Sequence, residues 1–147
     1  MDISIATEHD SEAISKLFRE VSNVDILPHF NEQGKEQYES SVLPDLTTTF
    51  NKERFVTLKV MSSGNLLGFG AIRDKNYITH IFVSKEAQGL GVGTQLLNAL
   101  LASTNNDNIS LRSSVNAVDF YQSNGFKATS DESNFNGIRF VPMALSR

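Results

Sequence analysis

The chain has 147 residues, with 13 Lys+Arg against 17 Asp+Glu, no cysteine and 39% hydrophobic residues. That length suits one domain, residues 1–147, with a real core, and is short for two. A net charge of −4 without a basic block argues against nucleic-acid and anionic-membrane partners, and the missing cysteines exclude disulfides, thiolate metal sites and a cysteine nucleophile.

The first residues, MDISIATEHD, are acidic where a signal peptide would be basic, and no apolar run approaches a membrane span. A cytoplasmic location is the expectation. Ile3 and Ile5 alternate with polar residues and predict a strand over about 2–6. A helix follows Thr7, with Glu8, Asp10 and Glu12 at its positive end and Ala13, Ile14, Leu17, Phe18 and Val21 as its buried stripe. Pro28 interrupts the chain, Asn31-Glu32 opens a second helix through about Val42, and 44–54 reads as short helical or irregular.

From Phe55 the pattern becomes β. Phe55–Met61 and Leu66–Arg73 form a hairpin around Ser62-Ser63-Gly64-Asn65, and Asp74-Lys75-Asn76 turns into a third strand, Tyr77–Val83. A glycine loop then leads into a helix over Gly93–Ser103, a strand over Ile109–Ser113 and a short helix over 116–123. In that short helix Asn116 is the expected N-cap and Gly125 the expected residue past the C-terminus. Phe126–Thr129 and about Arg139–Leu145 close the sheet as a hairpin, with a long loop over Ser130–Gly137. An antiparallel sheet with helices on both faces is the class this order predicts.

The glycine loop carries the chemistry. Gln88, Gly91 and Gly93 make a Q-x-x-G-x-G run just where a helix begins. Backbone N–H groups there have no intrahelical partner, and the helix dipole adds partial positive charge, which suits a phosphate or diphosphate. Two other phosphate loops do not fit. A dinucleotide fingerprint needs G-x-G-x-x-G and a later acidic residue at a strand end, whereas the glycines at 89, 91 and 93 run G-x-G-x-G and Asp107 lies in a polar loop. A P-loop needs Gly-Lys followed by Ser or Thr, and Gly34-Lys35 is followed by Glu36.

Strand, glycine loop, helix, strand, then a short helix in VNAVDFYQSNGF at 115–126: in order and chemistry the chain resembles the GNAT superfamily of acetyl-CoA-dependent N-acetyltransferases. The element order covers the whole chain. The specific parts are Q-x-x-G-x-G at 88–93 and N-A-x-x-F-Y-x-x-x-G-F at 116–126. The resemblance implies an α+β fold, a central, mostly antiparallel, twisted sheet of about seven strands with helices on both faces.

It also implies a site. The backbone of Ile81, Phe82 and Val83 would hydrogen-bond the pantetheine arm and acetyl carbonyl of acetyl-CoA. The diphosphate would sit on the N–H groups of Gln88, Gly89, Leu90, Gly91, Val92, Gly93 and Thr94, with only backbone asked of Leu90 and Val92. Asn116 would hydrogen-bond the pantetheine, Phe120 would belong to the same binding set, and Tyr121 would protonate the departing thiolate.

The general base is open. Strand alternation puts Tyr77, Thr79, Ile81 and Val83 on one side and Ile78, His80 and Phe82 on the other. His80 is the one imidazole in that strand and its ordinary pKa suits a base. Which face lines the cleft turns on a bulge, and a structural histidine or a water chain to a distant group are the competing readings.

Asp25, His29, Phe30, Glu32 and Tyr38 are expected to wall the acceptor side, where carboxylates would suit a cationic amine. The three histidines share no ligand spacing, so no metal is expected. The expected activity is acetyl transfer from acetyl-CoA to a primary amine of a small molecule or peptide by direct attack in a ternary complex. The alternative is a non-catalytic acyl-CoA-binding module of the same fold. A homodimer is compatible with either.

Overall fold

The apolar periodicities resolve into strands β1 (Asp2–Ile5), β2 (Phe55–Ser62), β3 (Asn65–Arg73), β4 (Tyr77–Val83), β5 (Asn108–Ser114), β6 (Lys127–Ala128), β7 (Ser133–Phe135) and β8 (Ile138–Ser146). The helices are α1 (Ser11–Val21), α2 (Glu32–Gln37), α3 (Leu43–Asp45), α4 (Val92–Ala102) and α5 (Val118–Ser123), joined by single 3-10 or π turns. The structure is a computed structural model describing residues 1–147, the side chains of Val42 and Leu43 excepted.

The eight strands form one sheet in the order β1-β2-β3-β4-β5-β8-β6, with β7 also on β8. Every pairing is antiparallel except β4 with β5. This is the mixed α+β fold expected from the sequence.

Helix α1 covers one face of the sheet. Ile14, Leu17, Phe18 and Val21 are buried there with Phe30, Tyr38, Phe69 and Phe82. Ala13, expected in that stripe, is exposed, because the helix begins at Ser11 after a 3-10 turn over Glu8–Asp10 that rotates its start. Asp10 fixes that start by accepting from the Thr7 N–H (2.9 Å) and pairing with Lys59 on β2 (2.8 Å). On the other face α4 buries Leu97 and Leu100 against Ile72, Ile78, Ile109, Leu111 and Met143.

Two local features position the site. First, β4 and β5 pair only at Tyr77–Ser110 and Ile78–Leu111, then separate, while β5 stays paired with β8 along all of Asn108–Ser114. At the base of this divergence the Lys75 carbonyl accepts from Thr104 Oγ1 (2.8 Å) and Asn106 Nδ2 (2.9 Å), and the Asn76 carbonyl from the Ser110 N–H (2.9 Å). Second, Ala71 pairs with His80 but Ile72 pairs with Ile78, so Thr79 is the extra residue of a β-bulge. The bulge breaks the expected alternation. Ile78 joins Ile81 on the α4 face, while Phe82 packs under α1 and His80 packs edge-on to Phe18 and Phe69 of that layer.

Three other expectations change. The Ser130–Gly137 loop contains β7, which pairs tightly with β8. The preceding strand shrinks to Lys127–Ala128, because Phe126 turns into the core. The short helix begins at Val118 after a 3-10 turn over Val115–Ala117, so Asn116 is not its N-cap. Its end is as expected: Gly125 takes φ +95°, the Gly125 N–H bonds Gln122 O (3.1 Å) and the Phe126 N–H bonds Tyr121 O (3.0 Å). Those two bonds are a Schellman motif.

Candidate active site

The divergence of β4 from β5 opens a cleft of about 420 Å³. One wall is Ile81, Phe82 and Val83 of β4. A second is Gln88, Gly89 and Gly91 of the loop with Gly93 and Thr94 of α4. The third is Ser114, Asn116, Ala117, Phe120 and Tyr121, and Val21, Asp25 and Ile26 approach from the end of α1. Two motifs far apart in the sequence thus meet across one space.

Past Ile78 the β5-facing edge of β4 has no strand partner. A backbone edge inside a protein needs partners, and a narrow extended ligand could supply them. Gly89 and Gly91 adopt φ of +83° and +81°, and a Cβ on either would meet nothing within 4 Å, so both open onto the cleft. Among the described residues their N–H groups find no acceptor. Gly91 is the N-cap of α4, which no side chain caps, so the N–H groups of Val92, Gly93 and Thr94 precede the first bond of the helix, Gln95 N–H to Gly91 O (3.1 Å). Five amides at the positive end of an 11-residue helix make a cradle for an anion. Gly93 has a different reason: its Cβ would lie 3.1 Å from the Phe120 ring. That close approach joins the two motifs physically.

The N–H groups of Gln88 and Leu90, also expected to hold the diphosphate, instead bond the Ser84 carbonyl (3.1 Å) and the Ala87 carbonyl (3.4 Å), because the loop closes on itself as a turn before α4. Leu90 is exposed and Val92 is core. Gln88 does more than open the loop. Its Nε2 donates to the Val83 carbonyl (3.1 Å) and to Asp25 Oδ2 (3.2 Å), and its Oε1 accepts from Lys85 Nζ (3.0 Å). Lys85 in turn pairs with Asp25 at 2.9 Å.

Tyr121 is buried against Phe120 and Phe126, with ring centroids 5.1 and 5.7 Å away. Burial raises its phenol above the ordinary value, so it is protonated at neutral pH. Among the described residues its hydroxyl has no protein partner, yet no buried side-chain polar atom is left unsatisfied, so the hydroxyl is reached from the cleft. The Asn116 side chain is exposed on the same wall and its amide is likewise unengaged by the protein.

His80 does not join this constellation. It is absent from the cleft wall, its ring packs edge-on to Phe18 (5.7 Å) and Phe69 (6.2 Å), and Nδ1 lies 2.8 Å from Thr79 Oγ1. Burial holds its pKa down to about 4.

The expected acceptor wall is also redistributed. Phe30 and Tyr38 are core, the Tyr38 hydroxyl bonding Ser22 Oγ at 2.7 Å. Glu32 pairs with Lys35 at the surface, His29 is exposed, and Asp25 alone of the five reaches the cleft. The sequence gives no sign that Lys85, Val21, Ile26 and Ser114 belong to the site, because contacts spanning some 60 residues leave no local pattern. Among the described residues no group of His, Asp and Glu could hold a metal ion, and no helix is long and apolar enough to cross a membrane.

Residues 26–147 match the family model described as acetyltransferase (GNAT) domain. The chain belongs to the GNAT family of acyltransferases. Solved structures of this fold span essentially all of it. The GCN5-related N-acetyltransferase from Rhodopseudomonas palustris is 18% identical, with TM-score 0.79 over 99% of this chain and 95% of that one. The PaiA N-acetyltransferase from Thermoplasma acidophilum, in complex with coenzyme A, is 18% identical with TM-score 0.73 over 100% of both chains. The aminoglycoside 6'-N-acetyltransferase from Enterococcus faecium is 16% identical with TM-score 0.70 over 99% and 97%. No curated protein sequence matches the chain significantly. At these identities the neighbours establish the GNAT fold, and the chemistry of this member rests on its own residues.

Proposed function

We propose that this GNAT protein transfers the acetyl group of acetyl-CoA to a primary amine of a small molecule or peptide, by direct attack within a ternary complex. The observation that carries the proposal is the meeting, in one cleft, of five unbonded amides, an unpaired strand edge and a protonated phenol.

These groups fit acetyl-CoA. The N–H groups of Gly89 and Gly91 to Thr94 would hold the diphosphate, the backbone of Ile81–Val83 and the Asn116 amide would hold the pantetheine arm, and Phe120 would pack beside it. Acetyl-CoA supplies an acyl thioester. Transfer forms a C–N bond and breaks the C–S bond; the thiolate needs one proton and the amine must lose one. A fixed β4 N–H beside the acetyl oxygen would stabilise negative charge there. Tyr121 Oη holds the proton for the departing thiolate. In this reading His80 packs the α1 layer rather than abstracting a proton, since an imidazole with a pKa of about 4 is a weak base. The amine would lose its proton to water in the cleft. Asp25, the one carboxylate of the expected acceptor wall that reaches the cleft, supports a cationic acceptor only if its partner Lys85 is drawn away.

Calorimetry of the protein with acetyl-CoA, followed by thiol release across a panel of primary amines, tests the proposal. Micromolar binding and amine-dependent release of CoA are expected. Binding absent at millimolar acetyl-CoA, or no release with any amine, would overturn it.

A further inference from the structure

The cradle has a cation beside it that is already engaged. Lys85 follows β4 by two residues, lies on a 3-10 turn over Lys85–Ala87, and reaches two residues of the cleft wall at once, Gln88 Oε1 at 3.0 Å and Asp25 Oδ1 at 2.9 Å. The cradle residues themselves, Gln88 to Thr94, include no charged side chain. Asp25 is the opposite case: a carboxylate, 18% exposed, in the wall of a cleft whose amides are arranged for an anion. Two negative groups sharing one pocket repel unless a cation stands between them.

We propose that Lys85 is the cation for the phosphates of the bound acyl-CoA and that Asp25 competes with those phosphates for it. The inference rests on the cleft taking an acyl-CoA, as above. In the free protein the ion pair holds Lys85 beside Gln88, at the edge of the cleft rather than in its wall, and through Gln88 ties the α1–α2 connection to the end of β4. A diphosphate arriving at the N-terminus of α4 offers the ammonium a group of higher charge. The exchange leaves Asp25 without its counter-ion, so part of the binding energy is spent on separating the pair. Asp25 thereby lowers affinity for the ligand, and its position in the α1–α2 connection lets cofactor occupancy loosen that segment.

A simple structural staple would have the same contacts but the opposite sensitivity. If Asp25 and Lys85 served only to shape the loop, losing either would weaken ligand binding alike.

The test is calorimetric titration of CoA into wild type, Lys85→Met and Asp25→Asn, at low and at physiological ionic strength, with circular dichroism confirming that each folds. Both sites are partly exposed, so folding is expected to survive. Lys85→Met should weaken CoA about tenfold at low salt, the scale of one charge-assisted contact, and by less as salt screens it. Asp25→Asn should tighten CoA severalfold. Unchanged affinity in Lys85→Met, or weaker binding in Asp25→Asn, would overturn the proposal while leaving the acyl-CoA reading intact. Absence of CoA binding by the wild type would remove that reading, and this inference with it.

Discussion

Gly34 and Gly137 touch backbone to backbone. A Cβ on Gly34 would fall 2.6 Å from the Gly137 carbonyl carbon, and one on Gly137 would fall 2.6 Å from Asn31 Oδ1. The contact seats α2 on the tight turn between β7 and β8, where Asn31 Oδ1 also caps α2 through the Gly34 N–H (2.8 Å). Gly34→Ala should therefore destabilise the protein by about 1–3 kcal/mol, the scale of overpacking, although alanine is the better helix former. Urea unfolding measures it. Gly64→Ala is the control: its φ of +79° is strained but nothing lies within 4 Å, so its cost should stay near 1 kcal/mol. Equal effects at the two positions would remove the argument from close approach.

Tyr121→Phe deletes the hydroxyl and keeps the ring against Phe120 and Phe126. Because that hydroxyl makes no hydrogen bond to the described protein, Tm and CoA affinity should change little. The acetyl-transfer rate should fall by about 10²-fold or more if Tyr121 is the acid. A pre-steady-state measurement is needed, since slow product release would hide the loss. A rate within about threefold of wild type would return Tyr121 to a core role.

Asn116→Ala separates binding from folding. The N-cap of α5 is Ala117 and no side chain caps it, so the substitution should leave Tm unchanged. CoA affinity should drop severalfold, as for one lost hydrogen bond worth about 1 kcal/mol. A lowered Tm with unchanged affinity would contradict both halves.

His80 predicts an acid-labile layer. Burial lowers its folded pKa to about 4 from an unfolded value of 6.5, so the unfolded chain binds more protons between those pH values. The stability His80 contributes is fully present above about pH 6.5 and is lost as pH falls toward 4, by a few kcal/mol at most. His80→Phe should flatten the stability-versus-pH curve in that window. The same variant should leave the acidic limb of kcat/KM in place; loss of that limb together with a large fall in rate would restore His80 as a base.

The residues that build the cleft were legible where their pattern is local. The glycine loop that opens α4 and the Phe120–Tyr121 helix with its Gly125 end follow from spacing and capping. The bulge at Thr79 was not legible, because an extra residue in a strand leaves the composition unchanged while moving His80 and Ile78 to opposite faces. β7 was hidden because a three-residue strand in a polar loop owes its pairing to β8 rather than to its own side chains. Asn116 looked like a cap because asparagine favours caps, but a 3-10 turn precedes the helix and moves its start by two residues. Asp25 was assigned to the acceptor side from its position in the chain, whereas a π turn at the end of α1 swings it over to Gln88.

The sheet falls into two halves, β1–β4 and β5–β8, meeting along a seam two residue pairs long. The Lys75 and Asn76 carbonyls, pinned by Thr104, Asn106 and Ser110, clamp that seam like a hinge barrel at the end farthest from the open mouth. A small change of angle at the clamp would be magnified along five residues of β4 into a change of aperture beside Val83. The angle at which β4 leaves β5 is thus tied to Lys75, Asn76, Thr104, Asn106 and Ser110, none of which lines the cleft.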